Sequence, residues 1–356
     1  MSHIEELLAA RSLPALGFDG VDPEARRLEL IDILSDNIYG RTPDFKSEVS
    51  AEMTFKKEGS FGGKGNTFHY NLTATTPGGN FTFPLYLTYP RRMKPDSKVP
   101  LIVHISFNML QPSGAVPAED ILDRGVALAR FCYTDVAADR YDDFKEGVAP
   151  LFPREKGSKT LWGKIGMWAW AASRSLDFLL TLGLFDTDRI AVCGHSRLGK
   201  TALWCGAQDT RFTHVFSNNA GCSGDAITRG KQGERIAFIT KTFNYWFCDK
   251  YQEYKDDAIA DMPFDQHFLM ATIAPRKLAV GAASHDIWAD PESEYLCCCA
   301  ASEAWEKRDL VGLVHPDRLS EVGEVFNEGN VAFHQRYGEH AQIRSDWMTY
   351  IDFLLK

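Results

Sequence analysis

The spacing of apolar residues changes period along the chain, and each change marks an element. Residues 1 to about 20 are a polar lead with one short helical patch, Ile4 to Ala10. Asp22-Pro23-Glu24 is a helix start, with a capping acid and a proline in the first turn. Leu28, Ile31, Leu34 and Ile38 then follow at helical spacing. Gly40 ends that helix and Pro43 prevents its resumption. From Ser47 to Pro90 the pattern alternates. Val49 to Phe55, Thr67 to Thr76 and Phe81 to Tyr89 read as strands, parted by turns at Gly62-Gly63 and Pro77-Gly78-Gly79. This predicts an antiparallel meander leading into a main sheet.

Alternation then gives way to continuous apolar runs, which suit strands covered on both faces. Pro100 to Phe107 is one, followed by a long Pro- and Gly-rich loop from Asn108 to Pro117. Gly125 to Thr134 is a second strand and Asp135 to Lys159 a polar loop. A helix over Gly166 to Leu182 precedes the strand Ile190 to Cys193, and Thr213 to Asn218 is a further short strand. Ala220 to Asp261 has no clean period, gathers aromatics in Phe243-Asn244-Tyr245-Trp246-Phe247, and reads as a cap or rim inserted over 220–262. Asp265 to Ile273 is helical and stops at Ala274-Pro275. Lys277 to Ser284 is a strand, Pro291 to Lys307 a helix, Val331 to Tyr337 the last strand and Ile343 to Leu355 the closing helix. Strands alternating with helices imply parallel βαβ units and an α/β class. The expected organisation is one domain over 1–356, with a helical lead over 1–46.

Composition narrows the function classes. The 356 residues are 44% hydrophobic and 24% charged, with a net charge of −9, which argues against nucleic acid or an anionic membrane as partner. No apolar run approaches the ~20 residues that cross a bilayer, and no signal peptide is visible at Met1-Ser2-His3. Eight cysteines, three adjacent at Cys297-Cys298-Cys299, would mispair in an oxidising compartment, so reduced thiols and a cytoplasmic location are expected. There is no C-x-x-C pair, and neither a metal nor a cofactor is called for.

The chemistry gathers around Gly194-His195-Ser196-Arg197-Leu198-Gly199-Lys200. A buried strand runs into a tight turn bearing Ser196, and helix formers follow. That is how an α/β-hydrolase presents its nucleophile, and it predicts that fold with a mostly parallel central sheet. The usual elbow is G-x-S-x-G, whereas here the second glycine comes one residue late. The competing reading makes Ser196 a helix cap.

Such a fold orders its triad as Ser, acid, His. Asp286 follows the strand Leu278 to Ser284, whereas Asp290 is better placed to cap the helix starting at Pro291. His340, in Gly338-Glu339-His340, occupies the loop between the last strand and the last helix. His334 lies inside a strand and His195 points away from the serine, so both read as structural. The backbone N–H of Arg197 is the expected oxyanion donor, with a second from the loop after Phe107. The Arg197 side chain either stabilises the oxyanion or pairs with Asp135 or Asp139. Lys200, one turn beyond Ser196, either faces the same cleft or is a solvated lysine.

These residues resemble carbohydrate esterase family 15, the glucuronoyl esterases, in its bacterial form, and the related bacterial acetyl xylan esterases. The matching runs are Gly194 to Lys200, Ser217 to Gly224, Asp265-Gln266-His267, Ile273 to Arg276, Asp286-Ile287-Trp288-Ala289-Asp290-Pro291 and Gly338-Glu339-His340. The likeness spans roughly Pro100 to the C-terminus. It implies a serine esterase cleaving the ester between glucuronic acid in xylan and lignin alcohols. Ser196 would be the nucleophile, His340 the base, Arg197 the oxyanion-stabilising arginine, Lys200 a contact to sugar hydroxyls and Trp288 a surface packing on the sugar. Fungal members place the acid where this chain has Asn219, and the bacterial pattern supports Asp286. The chain departs from the family in two respects: His195 replaces a common cysteine, and Arg235 and Phe243 stand where a Gln and a Glu read the sugar.

Three functions are therefore in play. They are a glucuronoyl esterase acting on a xylan-derived or oligosaccharide ester, an esterase of acetylated xylan or acetylated sugars, and a non-catalytic carbohydrate-binding protein. The presence of Ser196, Asp286 and His340 in order favours an esterase.

Overall fold

The structure is a computed structural model describing residues 2–92, 97–110 and 114–356. Ten strands form one sheet: β1 (Val49–Gly59), β2 (Gly65–Thr76), β3 (Gly79–Pro90), β4 (Val99–Ser106), β5 (Ala127–Cys132), β6 (Phe185–His195), β7 (His214–Asn218), β8 (Lys277–Ala283), β9 (Val325–Phe326) and β10 (Val331–Arg336). Their order is β1-β2-β3-β5-β4-β6-β7-β8-β10-β9. The run from β5 to β10 is parallel, while β1, β2, β3 and β9 are antiparallel to their neighbours. This is the mostly parallel α/β-hydrolase sheet that the strand–helix alternation predicts.

Burial follows the periodicity. Every residue of β4 is buried, as its unbroken apolar run requires, while β2 alternates. β1 is an exposed edge strand that runs past Phe55 to Gly59, and Lys56 and Lys57 on it deter pairing with another chain. Helices Lys164–Thr181, Arg197–Gln208, Gln266–Ala271 and Pro291–Ala301 pack one face into the larger core. Ala118–Asp123 and Arg344–Leu354 cover the other face around Trp347 and Tyr350. Among the described residues, no helix is long and apolar enough to cross a membrane.

Several expected boundaries move, each for a local reason. The helix Pro23–Leu34 is capped by Asp22 as predicted, but its inward face is Arg27, Leu30 and Leu34, Leu28 is half exposed, and Ile38 is buried in the π-helical turn Ser35–Tyr39 that follows. Gly40, at φ 81°, passes so close to Leu161 that a Cβ would lie 2.3 Å from its carbonyl oxygen. The expected helix from Pro291 to Lys307 breaks at Ser302. Its hydroxyl turns back to the Cys298 carbonyl, 2.9 Å away, and accepts the Leu313 N–H at 2.8 Å. The strand expected from Gly125 is shortened because a six-residue helix, Ala118–Asp123, precedes it. All eight cysteines are free thiols. The stretch between β7 and Gln266 contributes no strand and contains the helix Ile236–Thr242 and three short 3-10 turns.

Candidate active site

Parallel strands deliver their C-terminal ends to one edge of the sheet, and the site assembles there. Ser196 follows β6, Asn219 follows β7, Asp286 follows β8 and His340 follows β10. Ser196, Asn219 and His340 border a cleft of about 350 Å³ that also holds Arg197, Lys200, Glu234, Phe243, Trp246 and Trp288, and Asp286 is connected to it through His340. A larger hollow of about 540 Å³ opens beside Phe55, His69 and Tyr86 on the antiparallel strands, but it brings no serine, acid and histidine together.

Ser196 sits at φ 58°, a backbone conformation that a non-glycine residue adopts at a cost, as a nucleophile elbow requires. Its hydroxyl makes no cap bond to the following helix, so the helix-cap reading does not describe it. Both glycines are sterically required. A Cβ on Gly194 would lie 2.0 Å from the Leu198 carbonyl oxygen, and one on Gly199 2.9 Å from Ser217 Oγ and 3.0 Å from the Ala220 Cβ. The late glycine is thus the point where the helix Arg197–Gln208 crosses the end of β7.

His340 Nδ1 lies 2.5 Å from Asp286 Oδ2. Asp286 is buried, which by itself would raise its pKa. The His340 bond, the Ala289 N–H and the Asn219 amide outweigh that, and the carboxyl is held below its ordinary value. Asn219 Nδ2 donates to the same oxygen at 2.9 Å. Asp290 is turned elsewhere. It caps the helix Pro291–Ala301 through the Ser293 N–H and hydroxyl and accepts the Gln232 N–H at 2.7 Å. His334, on β10, is paired with Asp346 of the helix Arg344–Leu354, at 2.9 Å. His195 faces away from the cleft, with Nδ1 2.7 Å from Asn218 Oδ1, yet its ring lies 4.5 Å from that of His340. Burial, reinforced by the neighbouring His340, pushes its pKa down to about 4, so it is neutral.

Of the two partners open to Arg197 from sequence, the structure selects Asp139, which pairs with its Nη1. Asp139 in turn accepts from Tyr133, Tyr245 and Trp246. The guanidinium lies 4.7 Å from the Trp246 ring centroid and still borders the cleft. Lys200 is buried, so the solvated-lysine reading fails. Its Nζ donates to the Ala220 carbonyl at 2.5 Å and lies 4.0 Å from Glu234. Trp288, half exposed, forms an edge contact with Phe238 on the rim. Part of the loop expected to give a second oxyanion donor, residues 111–113, lies outside the described residues.

Two features escaped the sequence reading. The acidic group at the cleft is Glu234, next to Arg235; Phe243 also borders the cleft, stacked on Trp246 with centroids 4.0 Å apart. The loop 219–221 rests on a buried carboxyl pair. Asp225 accepts from Ser217, Ala220 and Gly221, and Glu294 also accepts the Gly221 N–H, at 3.1 Å. Burial, then the charge of Asp225, push Glu294 well above the usual carboxylate range.

The family model for fungal glucuronyl esterases matches residues 72–308. A carbohydrate esterase, MZ0003, from an unknown prokaryotic organism is 38% identical over 199 residues, 56% of this chain and 45% of that protein. The 4-O-methyl-glucuronoyl methylesterase 1 of Phanerochaete chrysosporium is 30% identical over 311 residues, 85% of this chain and 61% of that protein. The chain thus spans about half the length of the curated relatives it matches. A solved glucuronoyl esterase from Solibacter usitatus superposes with a TM-score of 0.86 at 30% identity, over 96% of this chain and 97% of that one. With most of its length matched by the family model, and with this sheet and elbow, the chain belongs to the glucuronoyl esterase family of α/β-hydrolases, carbohydrate esterase family 15.

Proposed function

We propose that the protein is a serine carboxylic-ester hydrolase acting on a glucuronoyl ester of a carbohydrate, through Ser196, His340 and Asp286. The observation that carries this reading is the 2.5 Å contact between His340 and Asp286 at the same cleft as a strained, uncapped Ser196. Ser196 Oγ attacks the ester carbonyl while His340 Nε2 takes its proton; Asp286 fixes the tautomer with the proton on Nδ1 and stabilises the imidazolium. The oxyanion develops at the N-terminus of the helix Arg197–Gln208. There the Arg197 N–H and its Asp139-anchored guanidinium stabilise it. His340 then returns the proton to the departing alcohol, and water hydrolyses the acyl-enzyme by the same steps in reverse. Lys200 and Glu234 supply a donor and an acceptor for sugar hydroxyls, and Trp288 offers an apolar face to the ring. The names of the curated relatives support the glucuronoyl ester, and a xylan-derived oligosaccharide is the natural carrier of that group.

Replacing Ser196 by Ala tests this. The variant should fold, fail to hydrolyse benzyl glucuronate and escape fluorophosphonate labelling. Retained turnover would overturn the mechanism, and cleavage by the unmodified protein of acetylated xylo-oligosaccharide but not benzyl glucuronate would overturn the substrate class.

A further inference from the structure

Behind the His195 ring lies a second hollow, about 180 Å³, whose walls include His104, Phe107, Val116, Arg130, His195 and Ala341. Cross-strand pairing sets Arg130 of β5 beside His104 of β4. Arg130 is only 2% exposed. Its Nη2 donates to Ser106 Oγ at 3.0 Å and to the Asn108 carbonyl at 2.9 Å. Nε and Nη1 are buried with no hydrogen-bond partner among the described residues, and so is Nδ1 of His104. No carboxylate among the described residues pairs with this guanidinium. Two other buried cations of the protein are matched: Arg229 pairs with Asp265 at 3.2 Å and Lys164 with Asp142 at 2.9 Å. A buried, hydrogen-bond-deficient guanidinium without a counter-charge is among the least favourable arrangements a fold can hold, and binding an anion relieves it.

We propose that this recess is a binding site for a small aliphatic carboxylate. The carboxylate would pair with Arg130 and take a hydrogen bond from His104. Burial and the Arg130 charge keep that ring neutral, with one N–H to give. The alkyl part would lie against Phe107, Val116 and Ala341. A single guanidinium beside Phe107, Val116 and Ala341 suits a singly charged organic acid; among the described residues the recess has no second cation to meet the other charge of a phosphate or sulfate dianion. Occupancy is sensed at the base, because His195 forms a wall of the recess and its ring touches that of His340. The ligand acts there without entering the cleft that holds Ser196.

Thermal unfolding with sodium acetate or propionate replacing chloride at constant ionic strength tests the site. The unmodified protein should show a saturable rise in Tm of about 2 °C, and sulfate should produce none. Arg130→Gln should abolish the acetate response. Val116→Phe, which fills the recess and leaves Arg130 in place, should abolish it too and covers the case in which Arg130→Gln does not fold. In steady-state assays acetate should change kcat in the unmodified protein. No Tm response, a response kept in both variants, or acetate acting purely as a competitor of substrate would each overturn the proposal.

Discussion

His340 Nδ1 sits 2.5 Å from Asp286 Oδ2 although 54 positions separate the two residues. The contact follows from strand pairing. Arg336 at the end of β10 lies opposite Ala283 at the end of β8, and the His285 N–H donates to the Gly338 carbonyl at 2.8 Å, tying the two turns together. Asp290, four residues further on, is carried away as the helix begins and spends both carboxylate oxygens on capping and on Gln232.

Exchanging each acid for its amide separates them. Asp286→Asn should lower kcat by roughly 10³- to 10⁴-fold while the protein stays folded, because the amide favours the wrong imidazole tautomer. Asp290→Asn should leave kcat within a few-fold and destabilise by about 1 kcal/mol, the worth of a helix cap. The Asp286 carboxyl is held below its ordinary value, so its contribution to stability is present above pH 3.8 and lost as pH falls through the lower folded value. Acid destabilisation of the unmodified protein should accordingly set in below that point. Reversal of the two kinetic effects would show Asp290 to be the acid.

The displaced second glycine predicts a stability effect rather than a chemical one. Gly199→Ala pushes a methyl group against Ser217 Oγ and Ala220 and should cost about 1–3 kcal/mol, read as a lowered urea midpoint. Gly194→Ala meets backbone and should yield no folded protein. A Gly199→Ala protein as stable as the parent would show that the helix can shift away from β7.

Arg197 should be sensitive to both its own identity and its anchor. Arg197→Lys loses the planar donor set and should reduce kcat/KM by roughly 100-fold. Asp139→Asn keeps the arginine but releases it from its ion pair, and should reduce kcat by roughly 10- to 100-fold with a smaller change in KM. Equal KM effects with unchanged kcat in both variants would place Arg197 in substrate binding alone.

Glu294 predicts a pH-dependent stability. Its folded pKa is raised by burial and by Asp225, so its favourable contribution is complete below the ordinary value of 4.5 and is lost as pH rises toward the folded value. Glu294→Gln cannot ionise. Chemical denaturation at pH 4, 6 and 8 should therefore show the parent losing stability relative to Glu294→Gln as pH increases. A difference that stays flat with pH would mean that Glu294 is ionised in the folded protein.

Much of the architecture is legible in the chain because it is encoded locally. Continuous apolar runs announce β4, β6 and β8, alternation announces β2, and Asp22-Pro23 announces the first long helix. Elements that depend on a distant partner are less visible. Ser302 breaks a helix because its hydroxyl accepts the N–H of Leu313, and the inward face of Pro23–Leu34 is chosen by what it packs against rather than by its own spacing.

The candidate site divides the same way. An elbow serine, an acid after one strand and a histidine after another are local signals in a fixed order, so Ser196 and His340 can be named from the chain alone, with Asp286 and Asp290 as the acids on offer. Which acid meets the histidine, however, depends on the register of β8 against β10. Asp139 is 58 positions from the arginine it holds, and Glu234, Asp225, Glu294 and Arg130 acquire meaning only from burial and from the groups that folding sets beside them. Sequence by itself determined most of the elements, their order and the residues proposed for acyl-transfer chemistry. Tertiary structure decided which charges are paired, which are left unpaired, and which face the cleft, because the energy of a charge is set by neighbours and desolvation that no local pattern records.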